Sequence, residues 1–274
     1  MTARELGARH PQVQRLRALN RDRHARAAEQ AFVLEGPRLV TAALDRGASL
    51  EAVYLGYRAR PAFGPLVARL ERSGVPVLDL REGVLERVGV TRTPQPVLGV
   101  ARVPAASLTE LPRAGDVLVA VAVADPGNLG TIIRSAEAAG VAGVVVADES
   151  VDPYNPKAVR ASAGAVLGVP IVEVADAVAA VDALGTTGRA RVGTAAHGGR
   201  PVGELDPATP VALVVGNEAR GLDDALTASL DTVVTVPMHG AADSLNVAMA
   251  ATVVLFDLDR RRARHRVADA GAAP

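Results

Sequence analysis

Short apolar segments alternate with amphipathic segments along most of this chain, and the alternation predicts strands separated by helices. A basic amphipathic helix is predicted over residues 10–30, where Val13, Leu16 and Leu19 repeat at helical spacing. Strands are predicted at 32–35, 50–55, 75–80 and 97–102, and helices at 36–44, 65–72 and 82–88. These elements would form a small α/β unit of about 100 residues.

A second α/β pattern follows a proline-containing stretch that lacks periodicity and is typical of a linker. Strands are predicted at 117–124, 141–147, 170–174, 191–195, 211–215 and 232–236, and helices at 132–139, 157–167, 177–184, 224–230 and 244–262. Nearly continuous apolar strands favour a parallel sheet covered on both faces. We therefore predict a first domain at 1–104, a linker at 105–115, a second domain at 116–266 and a disordered tail at 267–274.

The formal net charge of zero hides an uneven distribution. Residues 1–104 carry a net charge of +7, residues 105–259 carry −11, and residues 260–274 carry +4. The basic first part favours an anionic partner such as RNA, although a solvated basic helix would give the same pattern. The candidate RNA-binding residues are Arg15, Arg17, Arg21, Arg23 and Arg38. Because aromatic residues are scarce, stacking of bases on an exposed sheet is disfavoured.

Several classes of protein are disfavoured by what the sequence lacks. It has no cysteine, and its five histidines show no metal-ligand spacing, so no metal site is predicted. It has no Gly-x-Ser-x-Gly elbow and no phosphate-binding loop. Without an apolar leader or an 18-residue apolar run, we expect a soluble cytoplasmic protein with no membrane partner.

Three segments stand where a predicted strand is followed by a helix: Asn128–Arg134, Val215–Gly221 and Ser244–Ala248. Ligands of open α/β sheets bind at such junctions. Each segment alone could be an ordinary turn or helix cap. Together they predict one composite site.

Five polar residues of these segments are the candidates for chemistry. Asn128 is predicted to cap the helix that follows it, and Arg134, beside two isoleucines, is expected to be buried and to need a partner. Glu218 in its glycine-rich turn can accept hydrogen bonds from a ligand or from backbone. Ser244 is the predicted N-cap of the last helix, and Asn246 would face a ligand or another loop from the first turn.

In this order the segments resemble the SpoU (TrmH) family of the SPOUT superfamily, the knotted RNA ribose 2′-O-methyltransferases. The matching residues are Asn128, Gly130, Arg134, Gly216, Glu218, Gly221, Pro237, Ser244, Leu245 and Asn246, and the resemblance covers about 113–262. The segment Lys157–Gly164 is similar to the family's Arg-containing segment, which adds Arg160 to the RNA-binding candidates. The stretch around Phe32–Val40 is similar to a small ribosomal-protein-like RNA-binding domain. The two-domain layout resembles the thiostrepton-resistance type.

The resemblance implies a C-terminal trefoil-knotted parallel-sheet methyltransferase domain, preceded by a small α/β RNA-binding domain. It implies S-adenosylmethionine as cofactor, a homodimer through the knotted domain, and no metal. The implied cofactor-binding residues are Thr194, Ala195, Ala196, Val215, Gly216, Asn217, Gly221, Val236, Met238, Leu245, Asn246 and Ala248. The implied catalytic residues are Arg134, Asn128, Glu218, Ser244 and Asn246.

The expected reaction is methyl transfer to a ribose 2′-hydroxyl. We expect Arg134 to orient this hydroxyl or a nearby phosphate and to stabilise developing negative charge, because a free guanidinium has a pKa above about 12. A role as a true base stays open. Ribosomal RNA, most simply 23S, is favoured by the N-terminal domain. A transfer RNA 2′-O-methyltransferase and a non-catalytic RNA-binding module are the alternatives.

Overall fold

The computed structural model describes residues 5–271, and side chains as far as residue 264. Contacts between residues divide the chain into two units. One unit contains Met1–Ala105 together with Tyr154–Gly168, and the other contains Ala106–Pro153 and Val169–Pro274. The predicted second domain had included the Tyr154–Gly168 segment. It groups with the first unit because the Tyr154 ring lies 4.8 Å from that of Phe32, and because Arg160 is ion-paired with the buried Glu35 at 3.2 Å.

Within the described residues, the first unit is built on a four-stranded mixed sheet in the order β1-β4-β2-β3. Its elements are α1 (Pro11–Arg21), α2 (Arg23–Glu29), β1 (Ala31–Glu35), α3 (Pro37–Asp45), β2 (Leu50–Leu55), α4 (Gly64–Arg72), β3 (Val77–Asp79), α5 (Val84–Val88) and β4 (Val97–Arg102). Strand β4 is antiparallel to β1 and β2, and β2 is parallel to β3. The prediction of a small α/β unit is confirmed.

The single helix predicted over residues 10–30 is wrong, because the chain forms two helices that meet at Asp22. The backbone of Asp22 is extended (φ −118°, ψ 120°), and its carboxylate accepts a hydrogen bond from the N–H of His24. Asp22 therefore ends α1 and caps α2. The apolar face predicted for α1 does exist, since Val13, Leu16 and Leu19 are buried in the core of this unit.

The second unit contains, within the described residues, a seven-stranded sheet in the order β7-β6-β5-β10-β8-β11-β9. The elements along this part of the chain are β5 (Val117–Val121), α6 (Pro126–Ala138), β6 (Gly143–Ala147), α7 (Pro156–Ala161, in the segment that joins the first unit), β7 (Ile171–Glu173), α8 (Ala177–Gly185), β8 (Ala190–Thr194), β9 (Arg200–Pro201), β10 (Val211–Val215), α9 (Asp224–Ala228), β11 (Thr232–Thr235) and α10 (Val247–Gly271). Neighbouring strands are parallel throughout, so the predicted parallel sheet is confirmed.

The carboxyl ends of the central strands place several loops at one edge of this sheet. Strands β5, β6 and β10 are buried along their whole length, as a sheet covered on both faces requires. Because β10 pairs with both β5 and β8, and β11 pairs with β8, the loops after these four strands are neighbours. These loops contain the segments selected from the sequence.

Helix α6 begins at Pro126, six residues before its predicted start at Ile132. Its N-cap is Asp125, whose carboxylate accepts hydrogen bonds from the N–H groups of Gly127 (2.7 Å) and Asn128 (3.0 Å). The prediction that Asn128 caps this helix is therefore wrong. Asn128 lies inside the first turn, and its side chain is available for other contacts.

Helix α10 also begins at a different residue from the predicted one. Its cap is Asn246, which accepts hydrogen bonds from the N–H groups of Ala248 (2.9 Å) and Met249 (3.4 Å). The prediction of Ser244 as N-cap is wrong, because the helix starts at Val247. An asparagine is as good a cap as a serine, so the residue types alone do not favour one position over the other.

Two further predictions of helix ends fail. The helix predicted at 157–167 stops at Ala161, because Ala163 and Gly164 have left-handed φ angles of 52° and 97°. Helix α10 continues to Gly271, so the disordered tail predicted from residue 267 is wrong as far as 271, and residues 272–274 lie outside the described residues. In the part of the chain that is described, no helix is long and apolar enough to span a membrane.

Candidate active site

The carboxylate of Glu218 lies at the centre of the site and accepts hydrogen bonds from three donors of another segment. The backbone N–H groups of Ala124 and Asp125 donate to it over 3.1 and 3.2 Å, and the side-chain amide of Asn128 donates over 2.9 Å. Glu218 follows β10, and its donors follow β5. The pairing of these two strands therefore brings the first and second motif segments together.

Asn128 connects this carboxylate to the third segment. While its amide nitrogen donates to Glu218, its amide oxygen accepts a hydrogen bond from the amide nitrogen of Asn246 at 2.9 Å. The oxygen of Asn246 is in turn used to cap α10. The predicted composite site therefore forms as a chain of hydrogen bonds, Glu218–Asn128–Asn246, that joins all three segments.

The hydrogen bonds keep Glu218 ionised. Burial alone would raise the pKa of its carboxyl, but the bonds from the Asn128 amide and from the backbone N–H groups of Glu218, Ala124 and Asp125 outweigh burial and lower the pKa below its usual value. Both carboxylate oxygens already accept donors, so this group acts as an anchor for the segments. Glu218 makes no hydrogen bond with Arg134 among the described residues.

A cavity of about 840 Å³ opens beside the Glu218–Asn128–Asn246 chain. It is lined by the loops after β8, β10 and β11 and by the start of α10. Among the predicted cofactor-binding residues, those that line it are Thr194, Ala195, Ala196, Gly216, Asn217, Gly221, Val236, Met238, Leu245 and Asn246. Val215 and Ala248 do not line it, and both are buried in the second unit.

The predicted catalytic residues divide into two groups. Glu218, Ser244 and Asn246 line the cavity, whereas Asn128 touches its wall only through Glu218 and Asn246. Arg134 lies outside the lining, and it is exposed rather than buried as expected. The structure gives its guanidinium no hydrogen bond or ion pair within the described residues, so the group is available to a ligand or to another chain.

Sequence reasoning missed part of the lining. The missed residues include His197, Gly198, Val233, Val234, Thr235 and Asp243. Residues 233–235 fall within the strand predicted at 232–236, and the sequence pattern does not indicate that they line a site. Their position at the carboxyl end of β11, beside β8, was the available signal.

Two glycines set the shape of the loop after β10. A Cβ atom on Gly216 would lie 2.4 Å from the carbonyl oxygen of Gly221, which no relaxed structure tolerates. Gly221 itself has a left-handed φ of 67°. Between them, the side chain of Asn217 accepts hydrogen bonds from the N–H groups of Ala219 and Arg220 and donates to the carbonyl of Ala122 at 2.8 Å. Its backbone N–H and carbonyl are also used, in hydrogen bonds with the carbonyl and the N–H of Gly221 at 3.1 and 2.9 Å, so Asn217 shapes the loop.

The candidate RNA-binding arginines of the first unit are not equivalent. Arg15 is ion-paired with Glu29 and with Glu51, and Arg160 is ion-paired with Glu35. Arg21 donates to a carbonyl of α5 at 3.2 Å. The exposed members of the set are Arg17, Arg21, Arg23 and Arg38.

A model described as the SpoU rRNA Methylase family matches residues 116–256, and one described as an MRM3-like substrate binding domain matches residues 10–99. These matches cover the two regions for which the sequence suggested a methyltransferase and an RNA-binding domain.

Two curated relatives align along most of the chain. It is 35% identical over 278 residues to a 23S rRNA (uridine(2479)-2'-O)-methyltransferase of Streptomyces viridochromogenes, covering 97% of this chain and 95% of the relative. It is 36% identical over 233 residues to the 23S rRNA (guanosine(2553)-2'-O)-methyltransferase RlmP of Bacillus subtilis (strain 168), covering 85% and 90%.

A solved structure shares the fold. The crystal structure of an AdoMet-bound rRNA methyltransferase from Sinorhizobium meliloti matches with a TM-score of 0.82 and 32% identity, covering 94% of this chain and 98% of that one. The resemblance seen in the sequence is thus confirmed by a family match over half of the chain and by relatives above 30% identity. The chain belongs to the SpoU rRNA methylase family.

Proposed function

We propose that this chain transfers a methyl group from S-adenosylmethionine to a ribose 2′-hydroxyl of 23S ribosomal RNA. The observation that carries the proposal is the Glu218–Asn128–Asn246 chain, which joins the three family segments beside a cavity. The curated relatives named above act on 23S rRNA, and the solved relative binds AdoMet. We place the activity in the cytoplasm, with its ribosomal substrate.

The cavity suits this cofactor in size and lining. Its volume of about 840 Å³ falls in the range of about 300–1,000 Å³ that small-molecule sites occupy. Many small or apolar residues line the wall, within 194–198, 216–222 and 233–236. Such a wall allows close approach and backbone hydrogen bonds to an adenine ring. When bound, S-adenosylmethionine supplies an electrophilic methyl group on a positively charged sulfur.

The residues of the site divide the work between them. Glu218 and Asn128 use their polar atoms on each other, on backbone and on Asn246, so they position the segments and do not move a proton. Ser244 lines the cavity and has no side-chain hydrogen bond within the described residues, which leaves its hydroxyl available to the ribose. Arg134 orients the 2′-hydroxyl and stabilises the developing negative charge, for which a permanently charged guanidinium is suited.

A homodimer through α6 and α10 is part of this proposal. Met249, Val253 and Phe256 are 62%, 41% and 42% exposed, and they lie on one face of α10 at i, i+4 and i+7 spacing. Such an apolar stripe favours burial by a second copy. Helix α6 borders the stripe, because the hydroxyls of Ser135 and Thr252 are hydrogen-bonded at 2.6 Å. Arg134 is the residue before Ser135 on this helix.

The trefoil knot remains a proposal about this second unit. The strand order β5-β10-β8-β11 departs from the order along the chain, so the connections cross over the sheet. The family resemblance assigns the knot to the loops around Thr194–Ala196, Val215–Gly221 and Val236–Asn246, and residues of all three line the cavity. A resistance role of the thiostrepton type stays a prediction from the layout alone.

Replacing Gly216 with alanine should weaken S-adenosylmethionine binding at least about 10-fold. The added Cβ would lie 2.4 Å from the carbonyl oxygen of Gly221, so the loop after β10 must move. Isothermal titration calorimetry measures the effect. Gly203→Ala is the matched control, since no atom lies within 4 Å of its added Cβ. Equal affinity of Gly216→Ala and wild type would remove this loop from the cofactor site.

Replacing Arg134 with alanine should lower kcat roughly 100-fold or more, the scale expected for loss of a key electrostatic contact. Its exposed guanidinium supports no described contact within the chain, so the melting temperature should hardly change. Cofactor affinity should stay within several-fold. Arg134→Lys should restore little activity, because an ammonium lacks the planar fork. A fully active alanine variant, in an assay of labelled methyl transfer to 23S rRNA, would end the catalytic proposal.

Replacing both Arg17 and Arg38 with glutamine should weaken RNA binding and reduce the slope of log affinity against log salt by about one unit per lost phosphate contact. Both side chains are exposed. Arg15→Gln is the matched control: its guanidinium is paired with Glu29 and Glu51, so its loss should lower stability more than RNA affinity. Filter binding at several salt concentrations measures both variants. If Arg15→Gln weakened RNA binding more than the double variant did, phosphate recognition would be assigned to Arg15.

Replacing Val253 with aspartate should convert a dimer into a monomer by placing a charge in the apolar stripe of α10. Val90→Asp is the matched control, since Val90 is also 41% exposed but belongs to the first unit. Sedimentation velocity gives the mass of each variant. A wild-type monomer, or a Val253→Asp protein that stays dimeric, would contradict an interface at this stripe.

A further inference from the structure

The backbone that presents two N–H groups to Glu218 is itself strained. Ala122, directly after β5, has a left-handed φ of 51°, which is unfavourable for a residue with a Cβ atom. The chain then turns so that the N–H groups of Ala124 and Asp125 point at Glu218. Such a conformation persists only when neighbouring groups hold it.

Two side chains hold this turn from opposite directions. On one side, the amide of Asn217 donates to the carbonyl of Ala122 at 2.8 Å. On the other, the hydroxyl of Ser150 accepts the N–H of Val123 at 3.0 Å and donates to the carbonyl of Ala147 at 2.6 Å. Ser150 is only 3% exposed and belongs to none of the three motif segments.

The loop that contains Ser150 has an unusual backbone conformation and makes a second hydrogen bond to Val123. Asp148 and Glu149, immediately before it, have left-handed φ angles of 49° and 56°. The backbone N–H of the next residue, Val151, donates to the carbonyl of Val123 at 2.9 Å. Val123 is therefore held through both its N–H and its carbonyl by this one loop.

We propose that Ser150 is a positioning residue for the methyl-transfer reaction: it holds Val123 so that the next two N–H groups reach Glu218, and through Glu218 it places Asn128 and Asn246. The proposal rests on the proposed function for its activity readout. Its structural content, a link from Ser150 to the hydrogen bonding of Glu218, can be measured on the protein without any ligand.

The test compares Ser150→Ala with Thr187→Val. Thr187 is a matched control because its hydroxyl likewise accepts one N–H donor, from Arg189 at 2.6 Å, and donates to a carbonyl, of Leu184 at 2.6 Å. The Ser150 hydroxyl has one further acceptor, the carbonyl of Ala120 at 3.3 Å. It does not line the cavity. Both variants should therefore lose stability, whereas only Ser150→Ala should disturb the site.

The decisive readout is the titration of the Glu218 side chain, followed by carbon NMR in protein labelled at glutamate carboxyls. Hydrogen bonds from Asn128 and backbone hold the pKa of Glu218 below its usual value against the effect of burial. Loss of the Ser150 contact weakens two of these bonds, so the midpoint should rise in Ser150→Ala and stay at the wild-type value in Thr187→Val. The charged residues Asp125 and Asp243 on the other two segments, and Arg220 on the loop of Glu218 itself, are the same in all variants.

Activity gives the second readout. We expect kcat of Ser150→Ala to fall about 10-fold, with the acid limb of its pH profile displaced to higher pH and cofactor affinity within several-fold of wild type. Thr187→Val should show the wild-type kcat and profile. If Ser150→Ala does not fold, Ser150→Cys, which keeps the size but is a weaker acceptor, should show a smaller rise of the Glu218 midpoint.

An unchanged Glu218 midpoint in a folded Ser150 variant would overturn the proposal. A raised midpoint in a protein whose wild type transfers no methyl group to RNA would support the positioning role and count against the proposed function. The two claims are thus separable.

Discussion

The site depends on one set of hydrogen bonds: the carboxylate of Glu218 accepts them from donors in a segment that lies 90 or more residues earlier in the chain. Strand β10 pairs with β5, with Val215 opposite Ala120, and this register brings the residue after one strand to the turn after the other. In this position Glu218 accepts hydrogen bonds from two backbone N–H groups and from the side-chain amide of Asn128. Every later contact of the site, including Asn128–Asn246 and the start of α10, follows from this placement.

The same contacts fix the conformation of the loop after β10, which forms part of the cavity wall. Asn217 and Glu218 use their side chains to tie the loop to the chain after β5, and Gly216 and Gly221 allow the loop to fold back on itself. The loop after β10 therefore keeps its shape through these hydrogen bonds and glycines. A wall of fixed shape suits a cofactor recognised by shape and a few hydrogen bonds.

The two parts of the chain carry opposite net charges. The residues that build the second unit are largely within the acidic stretch 105–259, which would repel phosphate, whereas 1–104 is basic. We therefore propose that the exposed Arg17 and Arg38 supply the attraction for RNA that the second unit lacks. Arg134 is an exposed cation within the acidic stretch, which fits a role at the ribose rather than in general RNA attraction.

The sequence predicted the sheet well because its signal is local: β2, β4 and β10 have the predicted bounds, and their apolar runs are buried. It also predicted that the three segments would meet. It failed at helix starts, where Asp125 and Asn246 rather than Asn128 and Ser244 are the caps, because several good capping residues stand close together.

Other failures have a cause outside any local pattern. The exposure of Arg134 and the pairing of Arg15 and Arg160 with carboxylates depend on which elements become neighbours. The grouping of Tyr154–Gly168 with the first unit depends on contacts with residues more than 100 positions away. Spacing along the chain contains no information about such contacts.

The most direct test of this account is nucleoside analysis of 23S rRNA after incubation with the purified protein and isotopically labelled S-adenosylmethionine. The account predicts that the label appears in one 2′-O-methylated nucleotide, and that Glu218→Gln, which weakens the acceptor at the centre of the site, reduces this yield while the protein stays folded. Label on a base, or full activity of the Glu218→Gln variant, would contradict it.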